Sequence, residues 1–443
     1  MNQLAILTTF MDLPRSYGLV PVVLNQLRCL VDHDVKPALF VQEGFERHAD
    51  AALIPEGVEI KPYVPFLHLF HYFPNTKKQT HDVPAKGKHR SCCPFAPTTN
   101  FDRQVKSIED MLEPELCKYQ TVITHDIVFQ IAFLVHNQAI RNIAARHPEM
   151  RWIHWCHSGP DQKPQKLEYP HTLRFTGMTN SVWICPNQSM RQQFAFMYDV
   201  PIKRVRTVYH IFDVQDFFDM HPFSRQLINK HSLLDCDVLC VWPTRIDDVA
   251  GKGIDKAVWL IGAMNKLCDA KLVFLNSWSN SPKARETIQN LRKVASEWGL
   301  PEENLVFSSA EGAAWELGVP RKVVQDLMQI ANLYVMPSQS ETFSYAMLEA
   351  AMCKNLLVLN DNLDVMHELA ADNAYYLPSE AEWGGQKWTI NYNPHPQAVY
   401  MDHAQKILEL IRGNKILLQH RRALSHYTSE WVWKNQLEPL LND

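Results

Sequence analysis

Glycine is scarce in this chain, 15 of 443 residues, about half the usual share of roughly 7%. It forms no Gly-x-Gly-x-x-Gly turn and no Gly-x-x-x-x-Gly-Lys-Ser/Thr loop, which demotes a dinucleotide dehydrogenase and a P-loop NTPase. The ten cysteines include no Cys-x-x-Cys. Several sit inside apolar runs such as Trp152-Ile153-His154-Trp155-Cys156 and read as reduced core residues of a cytoplasmic protein. No apolar stretch reaches the roughly 18 residues of a membrane span. The opening Met1 to Leu7 carries no basic leader, so neither secretion nor a transmembrane anchor is expected. An excess of one charge is also missing: 44 Lys and Arg stand against 48 Asp and Glu, net −4. Affinity for nucleic acid or a membrane surface therefore has to come from a local patch.

What is present is ordinary for a folded protein, with 46% hydrophobic and 21% charged residues, and the length suits two domains. Short apolar runs alternate with amphipathic stretches, the pattern of an α/β fold. In the first half, strands are expected at Leu4 to Thr9, Val35 to Val41, Thr121 to Thr124, Arg151 to Cys156, Ser181 to Cys185 and Arg206 to Tyr209, with helices at Leu19 to Asp32 and Met190 to Met197. A more polar connector spans 213 to 236. A second series follows, with strands at Val238 to Trp242, Lys271 to Asn276, Asn304 to Ser308, Leu333 to Met336 and Leu356 to Asn360. Helical patterns separate them at 254 to 268, 282 to 298, 320 to 331, 344 to 353 and 363 to 371. The expected domains are 1–212, 213–415, and a helical tail 416–443 packing back on the first.

One segment breaks the alternation. Residues 63 to 74 are aromatic and His-rich, and 75 to 106 hold seven Lys or Arg against two Asp, a local charge of +5. A loop this long is functional or disordered.

The most informative stretch is Pro337-Ser338-Gln339-Ser340-Glu341-Thr342-Phe343-Ser344-Tyr345, continuing to Glu349. It follows a buried strand and opens a helix, so the N–H groups of residues 342 to 345 are expected to point into the crevice at the strand ends, a position suited to a phosphate-bearing ligand. Glu341 on the loop and Glu349 two turns into the helix can hold two hydroxyl-rich groups of one extended ligand. The plainer reading makes Glu341 a partner of the helix dipole and Glu349 a solvated residue. Arg245 and Lys252 are cations able to pair with an anionic group, and Gly251 and Gly253 flanking Lys252 allow close backbone approach. His157 ends a buried strand, with His154 on the same strand as a competitor. His125-Asp126 also lies at a carboxyl edge. Asp235-Cys236-Asp237 matches an Asp-x-Asp metal signature but precedes a core strand, which favours a polar strand entry, and His89, Cys92 and Cys93 lack zinc-ligand spacing.

The Pro337 to Glu349 stretch resembles the Pro-Ser-x-x-Glu-x-Phe-Gly region, with its Glu-x7-Glu pair, of the retaining GT-B glycosyltransferases, a family that includes sucrose synthases and bacterial mannosyl- and glucosyltransferases. Thr244-Arg245 with Gly251-Lys252-Gly253 is similar to that family's phosphate loop, Arg206 to Asp213 to the segment ending its first domain, and Trp152 to His157 to the strand ending in its active-site His. The resemblance covers roughly residues 1 to 60 and 120 to 375. It implies two facing Rossmann-like domains with a C-terminal helix crossing back, a nucleotide diphosphate sugar, UDP-linked, as donor on the second domain, and transfer with retention. It implies catalytic roles for His157, Arg245, Lys252 and Glu341, and donor contacts from Gly18, Arg245, Lys252, Thr342, Phe343, Ser344, Tyr345 and Glu349. No cofactor and no metal are implied; the leaving phosphate itself takes the acceptor's proton. There are departures. Tyr17-Gly18 stands where a Gly-Gly pair is usual, and Thr342 and Ser344 replace two glycines, which narrows the sugar pocket.

The acceptor side is expected to use His125, Asp126 and the basic residues Lys77, Lys78, Lys86, Lys88 and Arg90. Cations interleaved with aromatics suit DNA carrying a hydroxylated base. The alternatives are a lipid-linked acceptor at an anionic membrane, a polysaccharide acceptor, and a nucleotide-sugar epimerase. The oligomeric state stays open.

Overall fold

The computed structural model describes residues 4–8, 18–42, 44–47, 49–64, 99–157, 160–163, 168–277, 279–383, 386–389 and 396–443. The chain has the α/β architecture expected from its pattern, two parallel sheets of seven and six strands. They belong to two compact units, Met1–Phe212 with Tyr427–Asp443, and Asp213–His426.

In the first unit the strands are β1 (Leu4–Leu7), β2 (Ala38–Gln42), β3 (Glu59–Val64), β4 (Thr121–His125), β5 (Arg151–Trp155), β6 (Ser181–Cys185) and β7 (Val205–Thr207). Their order is β3-β2-β1-β4-β5-β6-β7. Alternate residues of each strand feed two cores: Ala5, Phe40, Val122 and Trp152 face helices Thr99–Leu116, Leu134–Arg146 and Arg191–Tyr198 on one side. Leu4, Leu39, Ile123 and Ile153 meet helix Leu19–Asp32 and the C-terminal segment through Val432, Leu437 and Leu440 on the other. With both faces covered, the strands read as near-continuous apolar runs. The C-terminal segment is also tied by hydrogen bonds: Arg151 donates to the carbonyls of Leu440 and Leu441 (2.6 and 3.2 Å), and Tyr209 N donates to Gln436 Oε1 at 2.7 Å.

In the second unit β8 (Val238–Arg245), β9 (Ala270–Ser277), β10 (Leu305–Phe307), β11 (Leu333–Met336), β12 (Leu356–Asn360) and β13 (Tyr375–Leu377) lie in the order β10-β9-β8-β11-β12-β13. Helix Pro282–Trp298 starts at Ser281, whose side chain accepts from Ala284 N, and stops at Gly299 in the left-handed conformation, the usual signals for both ends.

Three expectations are corrected. The insertion does not run to 106, because Thr99–Leu116 is a helix whose Phe101, Val105, Ile108, Leu112 and Leu116 are buried at three- and four-residue spacing. The polar connector holds a ten-residue helix, Pro222–His231, with Leu227 and Ile228 buried. Residues 416–426, assigned to the returning tail, pack in the second unit. There Arg421 is buried and its guanidinium donates to the carbonyls of Ile330, Leu233, Leu234 and Cys236 at 2.5 to 3.2 Å. No helix among the described residues is long and apolar enough to cross a membrane.

Candidate active site

In a doubly wound sheet, ligands gather at the carboxyl edge where the strand order reverses. In the second unit that point lies between β8 and β11; Arg245 ends β8, and the two loops leaving these strands carry Lys252 and Glu341. The loops are sewn together. Gln339 N donates to the Gly251 carbonyl at 2.8 Å, and Asp248 caps the turn Val249–Lys252 by accepting from Gly251 N at 2.9 Å. Gly253, at φ +66°, lies so close to the other loop that a Cβ would sit 2.4 Å from the Pro337 carbonyl oxygen. Only glycine meets both demands.

This packing brings Lys252 Nζ to 2.7 Å from Glu341 Oε1. Beyond Glu341 the chain enters helix Tyr345–Met352, whose N-cap is Ser344, accepting from Met347 N at 3.2 Å. Among the described residues, no acceptor takes the amide hydrogens of Thr342 to Ala346. A lysine beside a row of unbonded N–H groups is an arrangement that can receive an anion. Arg245, half-exposed, stands 3.6 Å from Asp247. Phe343 and Tyr345 turn their rings outward, 46% and 77% exposed, edge to face at 5.4 Å. Glu349 accepts from Arg321 Nη2 at 2.6 Å. Arg321 opens its own helix and is 86% exposed along its side chain; the sequence reading missed it, since only the fold brings residues 321 and 349 together.

In the first unit, order reverses between β1 and β4. Gly18 is in ordinary right-handed backbone at the start of helix Leu19–Asp32, with open space around it. His125 and Asp126, the residues expected on the acceptor side, are buried, 2% and 5% exposed. Asp126 takes a left-handed φ of 57° and accepts the backbone N–H of His157 at 2.9 Å, so it sets the path of the chain leaving β5. Burial pushes its carboxyl above the usual range. His125 is stacked on Trp155 and His157, its Nδ1 2.8 Å from His157 Nε2. His157 Nδ1 is in turn 3.2 Å from Nε2 of His210. Burial first, and the neighbouring rings second, hold His157 and His125 at about 2 and 3. Both are neutral at pH 7. The competitor His154 is a core residue, bonded to Thr124 Oγ1 (2.9 Å) and Ser181 Oγ (3.2 Å). His210 was missed; its signal was a third histidine just past a strand end.

Asp237 lies at the amino end of β8, where its Oδ2 accepts from Asp269 N at 3.1 Å, on the edge opposite the loops above. Among the described residues no group of three or more His, Cys, Asp or Glu is placed to hold a metal ion. Lys77, Lys78, Lys86, Lys88 and Arg90, together with His89, Cys92 and Cys93, lie outside the described residues.

No family model and no curated protein matches the chain. Among solved structures it is similar to HepE of Anabaena in complex with UDP (11% identity over 100% of both chains, TM-score 0.34). It is similar also to the trehalose-6-phosphate phosphatase N-terminal domain of Candida albicans (13%, 99% of this chain and 96% of that one, TM-score 0.39). A third is the sucrose-phosphate synthase of Thermosynechococcus elongatus (12%, 100% and 99%, TM-score 0.32). Likenesses this distant carry no inference about family or activity.

Proposed function

We propose that the protein is a glycosyltransferase of the retaining GT-B type, moving a sugar from a UDP-sugar to an acceptor hydroxyl. One observation carries the reading: Lys252 and Glu341 meet at 2.7 Å beside the unbonded amides of Thr342 to Ala346, at the switch point of the second sheet. A diphosphate seated on those amides offers Lys252 a second anion, and Arg245 a partner within the same loop. Lys252 then leaves Glu341, whose oxygens become free to accept from sugar hydroxyls. Glu349 exchanges Arg321 for the ribose hydroxyls of the nucleotide.

In the reaction the bond from the anomeric carbon to the diphosphate oxygen breaks while the acceptor oxygen bonds to that carbon on the same face. The acceptor's proton passes to the departing phosphate oxygen. Charge grows on the diphosphate as the bond lengthens, and fixed N–H groups and cations stabilise it without reorganising. This chemistry asks for no metal.

For the acceptor we propose DNA bearing a hydroxylated base, in the cytoplasm, on the strength of the basic run 75 to 98, five Lys or Arg against one Asp, in a chain of net −4. The experiment is a thermal-shift screen followed by mass spectrometry of acceptors. UDP and UDP-sugars raise the melting temperature while NAD and ATP do not; at 100 times Kd the stabilisation is about 2.7 kcal/mol. A flat response to every nucleotide sugar overturns the transferase reading. Replacing Lys77, Lys78, Lys86, Lys88 and Arg90 by Ala flattens the salt dependence of DNA binding. Loss of liposome binding alone transfers the proposal to a lipid-linked acceptor.

A further inference from the structure

Three histidines from three different strand ends of the first unit meet ring to ring. His125 ends β4, His157 follows β5, and His210 follows β7, with contacts of 2.8 and 3.2 Å joining them. A neutral imidazole has one N–H and one bare nitrogen, so two linked contacts tie the three tautomers together. Either every ring donates toward His210 or every ring donates toward His125.

The ends of the row decide between these. Nε2 of His125 is sealed from solvent and, among the described residues, has no hydrogen-bond partner. A buried N–H without an acceptor is rarer and more costly than a bare acceptor nitrogen, so Nε2 is the bare nitrogen and Nδ1 carries the hydrogen. His125 Nδ1–H then donates to His157 Nε2, and His157 Nδ1–H donates to His210 Nε2. The last hydrogen falls on Nδ1 of His210, a half-buried residue whose Nδ1 has no partner among the described residues and is not sealed. Both nitrogens of His157 are used up inside the row, so the atom left to meet a ligand belongs to His210.

We propose that His125, His157 and His210 form a hydrogen-bonded ladder of fixed direction that presents Nδ1–H of His210 as an oriented, uncharged donor to a hydroxyl oxygen of a sugar-like substrate. The ligand class rests on the transferase reading; the direction of the ladder does not. The ladder orients and does not conduct. A proton relayed along the row would have to enter at His125, and its sealed Nε2 admits none. Burial keeps the rings uncharged, which suits a neutral oxygen better than a phosphate. The platform under His210 is rigid because the backbone on either side of it is tied, Tyr209 N to Gln436 and the Ile211 carbonyl to Asn25 Nδ2 at 3.0 Å. His125 and His157 are thus positioning residues, and His210 is the contact.

The test is long-range nitrogen–proton NMR of the full chain with labelled histidine at pH 7, the His210 signal assigned by its loss in His210→Gln. The expected pattern is a neutral ring with hydrogen on Nδ1. His125→Asn keeps a donor at the Nδ1 position and preserves that pattern. His125→Leu frees His157 Nε2 and turns His210 into a mixture of tautomers. Methyl glucoside in large excess shifts His210 Nδ1–H and leaves His125 unmoved. Hydrogen on Nε2 of wild-type His210, an unchanged His210 in His125→Leu, or no response to methyl glucoside overturns the proposal. A failure of UDP to bind leaves the ladder standing and removes the transferase reading instead.

Discussion

Replacing Gly253 by Ala probes the junction on which the second unit's site depends. The residue sits at φ +66°, and its added methyl group would lie 2.4 Å from the Pro337 carbonyl oxygen, where real contacts begin near 3.0 Å. The left-handed backbone alone costs about 1 to 2 kcal/mol for a residue with a Cβ. The opposing atom is backbone, so it cannot swing aside, and the two loops have to separate. In a unit of this size that loss lowers the melting temperature by about 2 to 8 °C. The larger effect falls on the ligand. Lys252 precedes Gly253 and Glu341 follows Pro337, so the separation displaces the cation from the amides, and a misplacement near 1 Å is worth about a hundredfold in rate. Calorimetry of UDP binding and a transfer assay measure this, with Gly413→Ala as control. Gly413 ends a helix with open space around it, and Ala there is neutral or stabilising by up to about 1 kcal/mol. Gly253→Ala with wild-type melting and wild-type UDP affinity would refute the argument. A lowered melting temperature with unchanged affinity would detach the junction from the ligand site.

Lys252→Ala and Arg245→Ala each lower turnover by about a hundred- to thousandfold, with smaller changes in donor affinity, and transfer persists in EDTA; steady-state kinetics with and without chelator check both. Arg421→Met keeps the bulk but strands four carbonyls, and urea unfolding shows a loss of about 3 kcal/mol or more, since each buried unpaired group costs about 1 to 3. Acid unfolds the first unit early. His125, His154 and His157 are held at about 3, 3 and 2, below their unfolded value near 6.5, so their stabilising effect is complete above pH 6.5 and is lost as pH falls toward 3. Each contributes at most about 1.4 kcal/mol per pH unit, opposed by Asp126, whose raised carboxyl works the other way. Tryptophan fluorescence against pH follows it, and stability unchanged between pH 6.5 and 4.5 contradicts the buried neutral assignment.

The parts of the fold that announce themselves in the sequence are those with local signals. Leu333–Met336 and Leu356–Asn360 are short apolar runs bounded by polar residues, and they are strands in full. Helix Pro282–Trp298 carries its own start and stop. Helix Thr99–Leu116 had an equally clear apolar period, hidden by the basic run on its amino side. Helix Pro222–His231 reads as polar because one of its buried residues is Ser224, bonded to Asp326 Oδ2 at 2.7 Å, a satisfaction that only the fold reveals. The same limit applies to the site. The loops after β8 and β11 were legible as motifs, because backbone chemistry confines their residue types. Arg321 beside Glu349 and His210 beside His157 depend on strand order and helix placement, which no local pattern encodes.

The second unit is one uninterrupted stretch, whereas the first is completed by residues 427–443. On a ribosome this inverts the order of folding. The first sheet emerges early, yet Leu4, Ile6 and Ile153 have no Val432, Leu437 or Leu440 to cover them until the whole second unit has been made. The nascent chain therefore has helix Leu19–Asp32 but not the C-terminal segment on that apolar face while the second unit is made, a standing invitation to a chaperone. The second unit is able to close first, and the histidine row, anchored through Gln436, acquires its fixed geometry last.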